Sequence, residues 1–302
     1  MIRELTRGEP TVVLDELTKW YGPTRGIDRL SFSMYPGEVF GFLGPNGSGK
    51  TTAIRTLLGL ITATSGRCSV LGSVSVARDV KVRNRIGYLP GIAAVYEKYT
   101  ALGYLRFIAR MRRLDLERAI QGYAERLDLD LNQRIHDLSK GNRQKVSLIQ
   151  AFAHKPELLL LDEPTSGLDP LVQREFEAML NEVKASGGSV LLSSHILSEV
   201  ERLADRVAIL DQGRAIAIDE IARLKASARR HIELHFTSPV SPADFAGLAN
   251  ISDIQSQDSS IRCVAIGSEY ELLKRAVALG VTEVRSEESS LEDIFLDLIK
   301  RR

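Results

Sequence analysis

Strand and helix signals alternate through the first two thirds of the chain, and that alternation predicts a mostly parallel sheet with helices on its faces. Val39-Phe40-Gly41-Phe42-Leu43 is an apolar run that reads as a strand, and Leu158-Leu159-Leu160-Leu161 reads as a strand buried on both faces. Gly188 to Ser194 is a third apolar strand, ending in polar residues, and Arg85 to Pro90 holds another. Helices are expected from Thr52 to about Leu60 and from about Asn142 to Ala153, the second capped by Ser139 and stopped before Pro156. Near the N-terminus, Thr11 to Leu14 and Leu30 to Met34 supply shorter strands that pack an antiparallel layer. After about Lys225 the character changes. Ile232 to Phe236 alternates as a strand, Ile261 to Ile266 makes a second, Tyr270 to Leu279 a helix, Val281 to Arg285 a last strand and Leu291 to Lys300 a last helix. That is a small α+β appendage, whose final helix opens on Ser290-Leu291-Glu292-Asp293, close to a capping box. No internal repeat interrupts the order.

Between the first apolar run and the helix at Thr52 lies Gly44-Pro45-Asn46-Gly47-Ser48-Gly49-Lys50-Thr51, a full match to G-x-x-x-x-G-K-[ST] in its required strand, loop, helix setting. Its glycines let the backbone curl so that successive N–H groups point at phosphate oxygens, and the helix aims its positive end at the same charge. Lys50 is placed to reach β- and γ-phosphates and Thr51 to hold Mg²⁺. The plainer reading, a glycine turn between strand and helix, is improbable for a pattern this long. The four-leucine run ends in Asp162-Glu163, where parallel sheets present ligands. Alone, an apolar run ending in two acids is as well explained by a strand meeting a solvated turn. After a phosphate loop, Asp162 is expected to engage the metal and Glu163 the attacking water of an ATPase.

Leu138-Ser139-Lys140-Gly141-Asn142 lies between these motifs. A helix N-terminus with a serine hydroxyl and a glycine that leaves room is a second phosphate site. One nucleotide has one γ-phosphate, already held by Lys50, so both sites are satisfied together only when the second helix end belongs to another subunit. A two-fold, head-to-tail dimer with two ATP molecules in its interface is therefore expected.

With these motifs in order, residues 10 to 220 resemble the nucleotide-binding subunit of an ABC transporter. The resemblance implies an ABC-type P-loop NTPase fold over 10–224, with a helical subdomain at about 92–156, and an accessory domain at 225–302. It gives Tyr21 the role of stacking on adenine, where an exposed turn tyrosine is the alternative, and adds Thr52 to the nucleotide-binding set of Gly44 to Thr51. It gives His195 the part of a switch histidine that contacts the γ-phosphate and orients Glu163, and it makes Ser166-Gly167-Leu168-Asp169 the loop that couples two sites across the dimer. The family signature is usually Leu-Ser-Gly-Gly-Gln, so Lys140 and Asn142 depart from it while Ser139 and Gly141 are retained. The family also places Gln, or sometimes Glu, where this chain has Gly91. A neighbouring residue or carbonyl then substitutes, or the metal relies on Thr51, Asp162 and water.

Ile92 to Arg113 carries Tyr96, Tyr99, Tyr104 and Phe107 among arginines. Each is expected in the core of the helical subdomain, with part of the set facing a membrane-spanning subunit of about six spans, as the resemblance implies. Ser289-Ser290-Leu291-Glu292-Asp293-Ile294-Phe295 resembles the tail of exporters of drugs, polyketides or lipids with separate ATPase and membrane chains. The expectation is an ATP-hydrolysing exporter subunit. A soluble relative acting on ribosome or DNA is expected to carry two cassettes or a long coiled-coil insertion, and neither is seen. A non-hydrolysing regulatory module is encouraged by Gly91 and opposed by Glu163 and His195.

Composition adds little to this picture. The chain has 302 residues, 44% of them hydrophobic, enough for one large domain and a smaller one, and its net charge of +1 makes no general case for nucleic acid. No apolar run approaches the ~18 residues of a membrane span. Met1 to Arg7 does not look like a signal peptide, and Cys68 and Cys263 are expected as free thiols in a reducing compartment. A cytoplasmic protein held at the membrane by its partner is expected.

Overall fold

The computed structural model describes residues 8–287 and 290–300, so Met1 to Arg7 and Ser289 of the C-terminal motif lie outside the described residues. The chain divides into two compact units, Met1–Ile218 and Asp219–Arg302. In the first unit, β1 (Val12–Tyr21) and β2 (Thr24–Met34) precede β3 (Val39–Leu43), α1 (Lys50–Leu57), β4 (Ser65–Val70), α2 (Val80–Asn84) and β5 (Ile86–Leu89). Then come α3 (Ala101–Arg112), α4 (Glu117–Arg126), α5 (Lys140–Phe152), β6 (Leu158–Asp162), α6 (Pro170–Ala185), β7 (Ser189–Ser194), α7 (Leu197–Leu203), β8 (Arg206–Asp211) and β9 (Arg214–Glu220).

The unbroken apolar runs become the centre of a six-stranded sheet of order β5-β6-β7-β3-β8-β9, parallel from β5 through β8. Every residue of β3, β6 and β7 is buried, as strands covered on both faces must be. Helix α1 packs on β6, α5 on β5, α6 on β7 and α7 on β3. The parallel register sets Asp162 beside Ser193 and Leu43 beside Ser194, so three strand ends finish at one edge.

A separate antiparallel sheet, β2-β1-β4, covers the nucleotide-loop side of the core. Phe32 of β2 stacks on Phe40 of β3 with ring centroids 4.6 Å apart, joining the two layers. Strands β1 and β2 are about twice as long as the alternation predicts. The registry shifts between Leu14 and Leu17, where Glu16 adopts φ of 48°, and again between Leu17 and Lys19, opposite Arg29 at φ 49°, and such bulges break a period of two while the ladder continues. The helix limits also move. Helix α1 starts at Lys50, because Gly49 at φ 104° is its cap, and α5 starts at Lys140, directly after Ser139.

The second unit comprises α8 (Ile221–Ala226), β10 (Arg229–Phe236), β11 (Ile251–Gln257), β12 (Ser260–Ile266), α9 (Tyr270–Ala278), β13 (Val281–Glu287) and α10 (Leu291–Lys300). Its sheet, β11-β12-β10-β13, buries Ile232, Leu234, Phe236, Ile261 and Cys263 against Phe245, Leu272 and Ala276. Ser290 accepts from the Asp293 N–H at 3.2 Å while the Asp293 carboxylate accepts from the Ser290 N–H at 2.9 Å, the reciprocal bonds of a capping box. Both cysteines are free thiols, Cys68 half-buried and Cys263 buried. No helix among the described residues is long and apolar enough to cross a membrane.

His154, just past α5, donates from Nε2 to the Ile86 carbonyl at 3.2 Å, and burial with the nearby Arg112 charge pushes its pKa down to about 4. The unfolded chain therefore takes up a proton first as pH falls, and the native state loses stability progressively between the ordinary histidine value and about 4. Between about pH 7 and about pH 4, His154 should account for about 2–3 kcal/mol of acid destabilisation. In urea titrations, His154→Gln should show a correspondingly smaller loss over that interval than the parent chain.

Candidate active site

Strand β3 delivers the glycine loop, and its backbone leaves no choice at Gly49. At φ 104°, a Cβ there would meet the Gly26 carbonyl oxygen at 2.5 Å. Lys50 follows as the first residue of α1 and is only 5% exposed. Its Nζ donates to the Gly44 carbonyl at 2.6 Å and to the Pro45 carbonyl at 3.3 Å, so the ammonium curls back into the glycine loop. The Ser48 hydroxyl is buried in the same loop with no hydrogen-bond partner. A cavity of about 340 Å³ opens over this cradle, lined by Asn46 to Thr52, by Tyr21 to Gly26 without Gly22 and Pro23, and by Glu163. Tyr21 ends β1 with its ring 45% exposed and the Lys19 ammonium 5.2 Å from its centroid.

Asp162 closes the site from β6. Its carboxylate is 2% exposed, with Oδ2 accepting from the Thr51 hydroxyl at 2.8 Å and Oδ1 from the Ser193 hydroxyl at 2.5 Å. Two hard oxygens, the Thr51 hydroxyl and Asp162 Oδ2, thus converge beside the phosphate loop, a donor set that fits Mg²⁺. Glu163 turns sharply out of the strand at φ 50°, its N–H held by the Ser193 carbonyl at 3.1 Å. That turn brings Oε1 within 3.5 Å of Lys50 Nζ and Oε2 within 2.7 Å of His195 Nδ1. Glu163, Lys50 and His195 therefore meet in one chain.

Two supporting residues were missed. Ser193 holds both the Asp162 carboxylate and the Glu163 backbone, and the register of two polar-ended parallel strands could have revealed it. The neighbouring Ser194 donates to the buried Glu199 at 2.5 Å, fastening the strand end that carries His195 to α7. Tyr88, on β5, is raised in pKa by burial first and by the Asp162 charge second.

Gly91 follows β5 directly beside Asp162. A Cβ there would stand 3.3 Å from Oδ2, so a side chain at this position would crowd the Asp162 carboxylate.

Ser139 and Gly141 sit on a different part of the unit. Ser139 caps α5 by accepting from the Asn142 N–H at 3.2 Å. Among the described residues, no hydrogen bond or ion pair joins either to the loop Gly44–Thr51. They are instead strapped to the segment after Glu163. A Cβ on Gly141 would meet the Gly167 carbonyl oxygen at 2.7 Å, Lys140 Nζ donates to Ser166 at 3.4 Å, and the buried Gln144 donates to the Pro164 carbonyl at 3.0 Å. Asp169 caps α6 by accepting from the Leu171 and Val172 N–H groups, each at 3.0 Å. The Val172 N–H chiefly holds its carboxyl below the usual range.

Comparison with known proteins places this geometry. The ABC transporter family model matches residues 27–166. The bacitracin transport ATP-binding protein of Bacillus licheniformis is 34% identical over 292 residues, spanning 94% of this chain and 95% of the relative. A Nod factor export ATP-binding protein of Rhizobium meliloti is 33% identical over 97% of this chain and 89% of its own length. A solved ATP-binding subunit of an ABC transporter superposes with a TM-score of 0.67 at 31% identity, covering 71% of this chain and 92% of that one. A dimeric bacterial ABC transporter cassette shares the fold, with a TM-score of 0.63 at 21% identity, over 70% of this chain and 98% of its own.

Gly141→Ala tests the close approach to Gly167. Forcing that contact apart should cost about 1–3 kcal/mol of stability, read by chemical denaturation. It should also lower nucleotide turnover by about tenfold or more, measured under conditions where the variant remains folded.

Proposed function

Because the chain belongs to the ABC transporter family of ATP-binding proteins, we propose that it binds and hydrolyses Mg²⁺-ATP as the motor subunit of an exporter. The observation that carries this reading is Glu163 standing between Lys50 and His195 while Thr51 and Asp162 converge beside them. Tyr21 stacks on adenine. The backbone of Gly44, Pro45, Asn46, Gly47, Ser48 and Gly49, with Lys50, Thr51 and Thr52, binds the phosphates. Thr51 and Asp162 hold the metal, which when bound neutralises charge on the phosphates. Glu163 orients and deprotonates the attacking water, and His195, hydrogen-bonded to it, fixes that carboxylate and meets the γ-phosphate.

Ser139 and Gly141 complete the site of a second copy, with Asp169 in the coupling loop between the two sites. ATP closes the dimer, and hydrolysis reopens it. A separate membrane-spanning chain docks at the aromatic surface of the first unit and keeps the subunit at the cytoplasmic face. In that surface Tyr96 and Tyr99 are 60% and 41% exposed, whereas Tyr104 is buried. Relatives named for bacitracin transport, Nod factor export and linearmycin resistance favour an antibiotic or lipid-like cargo.

Glu163→Gln should abolish Mg²⁺-dependent ATP turnover while trapping an ATP-bound dimer, seen by gel filtration with light scattering. A monomeric variant without bound nucleotide contradicts the assignment. The parent chain, purified with the membrane protein that accompanies it, should turn over ATP, and a complex without turnover overturns the motor reading.

A further inference from the structure

The aromatic surface and the start of α5 are joined by a ladder that does not pass through the metal site. Segment 97–102 runs beside segment 131–136: Ile135 N–H donates to the Tyr99 carbonyl at 3.0 Å, His136 N–H to Glu97 at 3.3 Å, and Ala101 N–H to Gln133 at 3.0 Å. One side chain ties this ladder to the helix. Arg143, on the second turn of α5, donates from Nη2 to the His136 carbonyl at 2.8 Å, from Nε to Ile135 at 3.2 Å and from Nη1 to Glu97 Oε1 at 3.3 Å. Its guanidinium fork thus fixes where the chain enters Leu138 and Ser139, and it does so from a carboxylate one residue away from Tyr96. A planar fork bound at three points restricts geometry in a way that a lone exposed ion pair does not.

We infer that Arg143, anchored by Glu97, is a positioning residue that sets the Ser139 end of α5 against the ATP of a second copy, so that occupancy of the aromatic surface is relayed to the opposite site. This rests on the two-copy reading above. It differs from that reading in assigning the relay to Arg143 and Glu97, which do not line the cavity over the phosphate loop of their own chain.

The test uses the full chain in a Glu163→Gln background, with two readouts: affinity of the single chain for a fluorescent ATP analogue, and the ATP-dependent dimer dissociation constant from light scattering. Arg143→Ala should weaken the dimer about tenfold while changing nucleotide affinity by less than about twofold. Arg143→Lys, which keeps charge and loses the fork, should fall between the two. Glu97→Ala should weaken the dimer by about threefold, and the double variant should be no worse than Arg143→Ala alone, since the pair acts as one unit. The inference is overturned if Arg143→Ala dimerises as tightly as its parent, if nucleotide affinity falls in parallel, or if the two substitutions add independently. Should Arg143→Ala fail to fold, Arg143→Lys and Glu97→Ala decide the matter by the same criterion. Failure of the Glu163→Gln parent to dimerise with ATP instead rejects the two-copy reading itself.

Discussion

A carboxylate buried to 2% exposure must be hydrogen-bonded or paired, and Asp162 meets that demand with hydroxyls from two other elements, Thr51 and Ser193. This single requirement aligns the end of β6 with the start of α1 and the end of β7. Each of those elements then carries one further functional group: Lys50 beside Thr51, Glu163 beside Asp162, His195 two residues after Ser193. Positioning three chemical groups thus costs the chain one buried anion with its partners. The register of β6 matters chiefly through its acid: both faces of the strand are covered and accept leucine, but a shift by one residue would turn Asp162 to the other face, away from Thr51.

How much of this could be read from residues depends on whether the signal was local. The phosphate loop, the leucine run and the Ser139 cap are each set by neighbours in sequence, and the structure places them as the pattern predicts. Even their helix limits shift only because Gly49 and Ser139 sit immediately before their helices. The long β1 and β2 were not legible, since Glu16 and Arg29 in left-handed conformation reset the alternation that identifies a strand. Strand β11, Ile251–Gln257, was missed for a related reason. Its polar residues and a break in register between Ser252 and Gln255 leave no periodic apolar face. Ser193 could be reached only through the register of its strand with β6, and Glu97 not at all, because its partner Arg143 lies far along the chain and topology alone brings the two together.

The two departures from the usual signature have different physical standing. At Lys140 a long side chain replaces a glycine, yet its stem lies along Gly167 and its ammonium reaches Ser166, so the substitution adds a contact within the chain. A cation in the first turn of a helix opposes the helix dipole, and nearby phosphate is the charge best able to offset that cost. At Asn142 the main-chain N–H is already committed to Ser139, leaving the side-chain amide available. Gly91 removes a group and leaves nothing in its place except backbone beside Asp162.

Those differences bear on how a surface event reaches ATP. A side chain at position 91 would stand against Asp162, the carboxylate that accepts from Thr51. With glycine there, the ladder between 97–102 and 131–136 and the Arg143 fork connect the aromatic residues to the start of α5, and among the described residues no hydrogen bond or ion pair joins Ser139 to the phosphate loop. The start of α5 that carries Ser139 is tied, through the close approach of Gly141 to Gly167 and the Gln144 bond to Pro164, to the loop from Pro164 to Asp169, which follows directly from Glu163. The hydrolytic carboxylate and the phosphate-facing helix end are strapped to the same body. Under the proposed closure of two copies around ATP, both are ordered together.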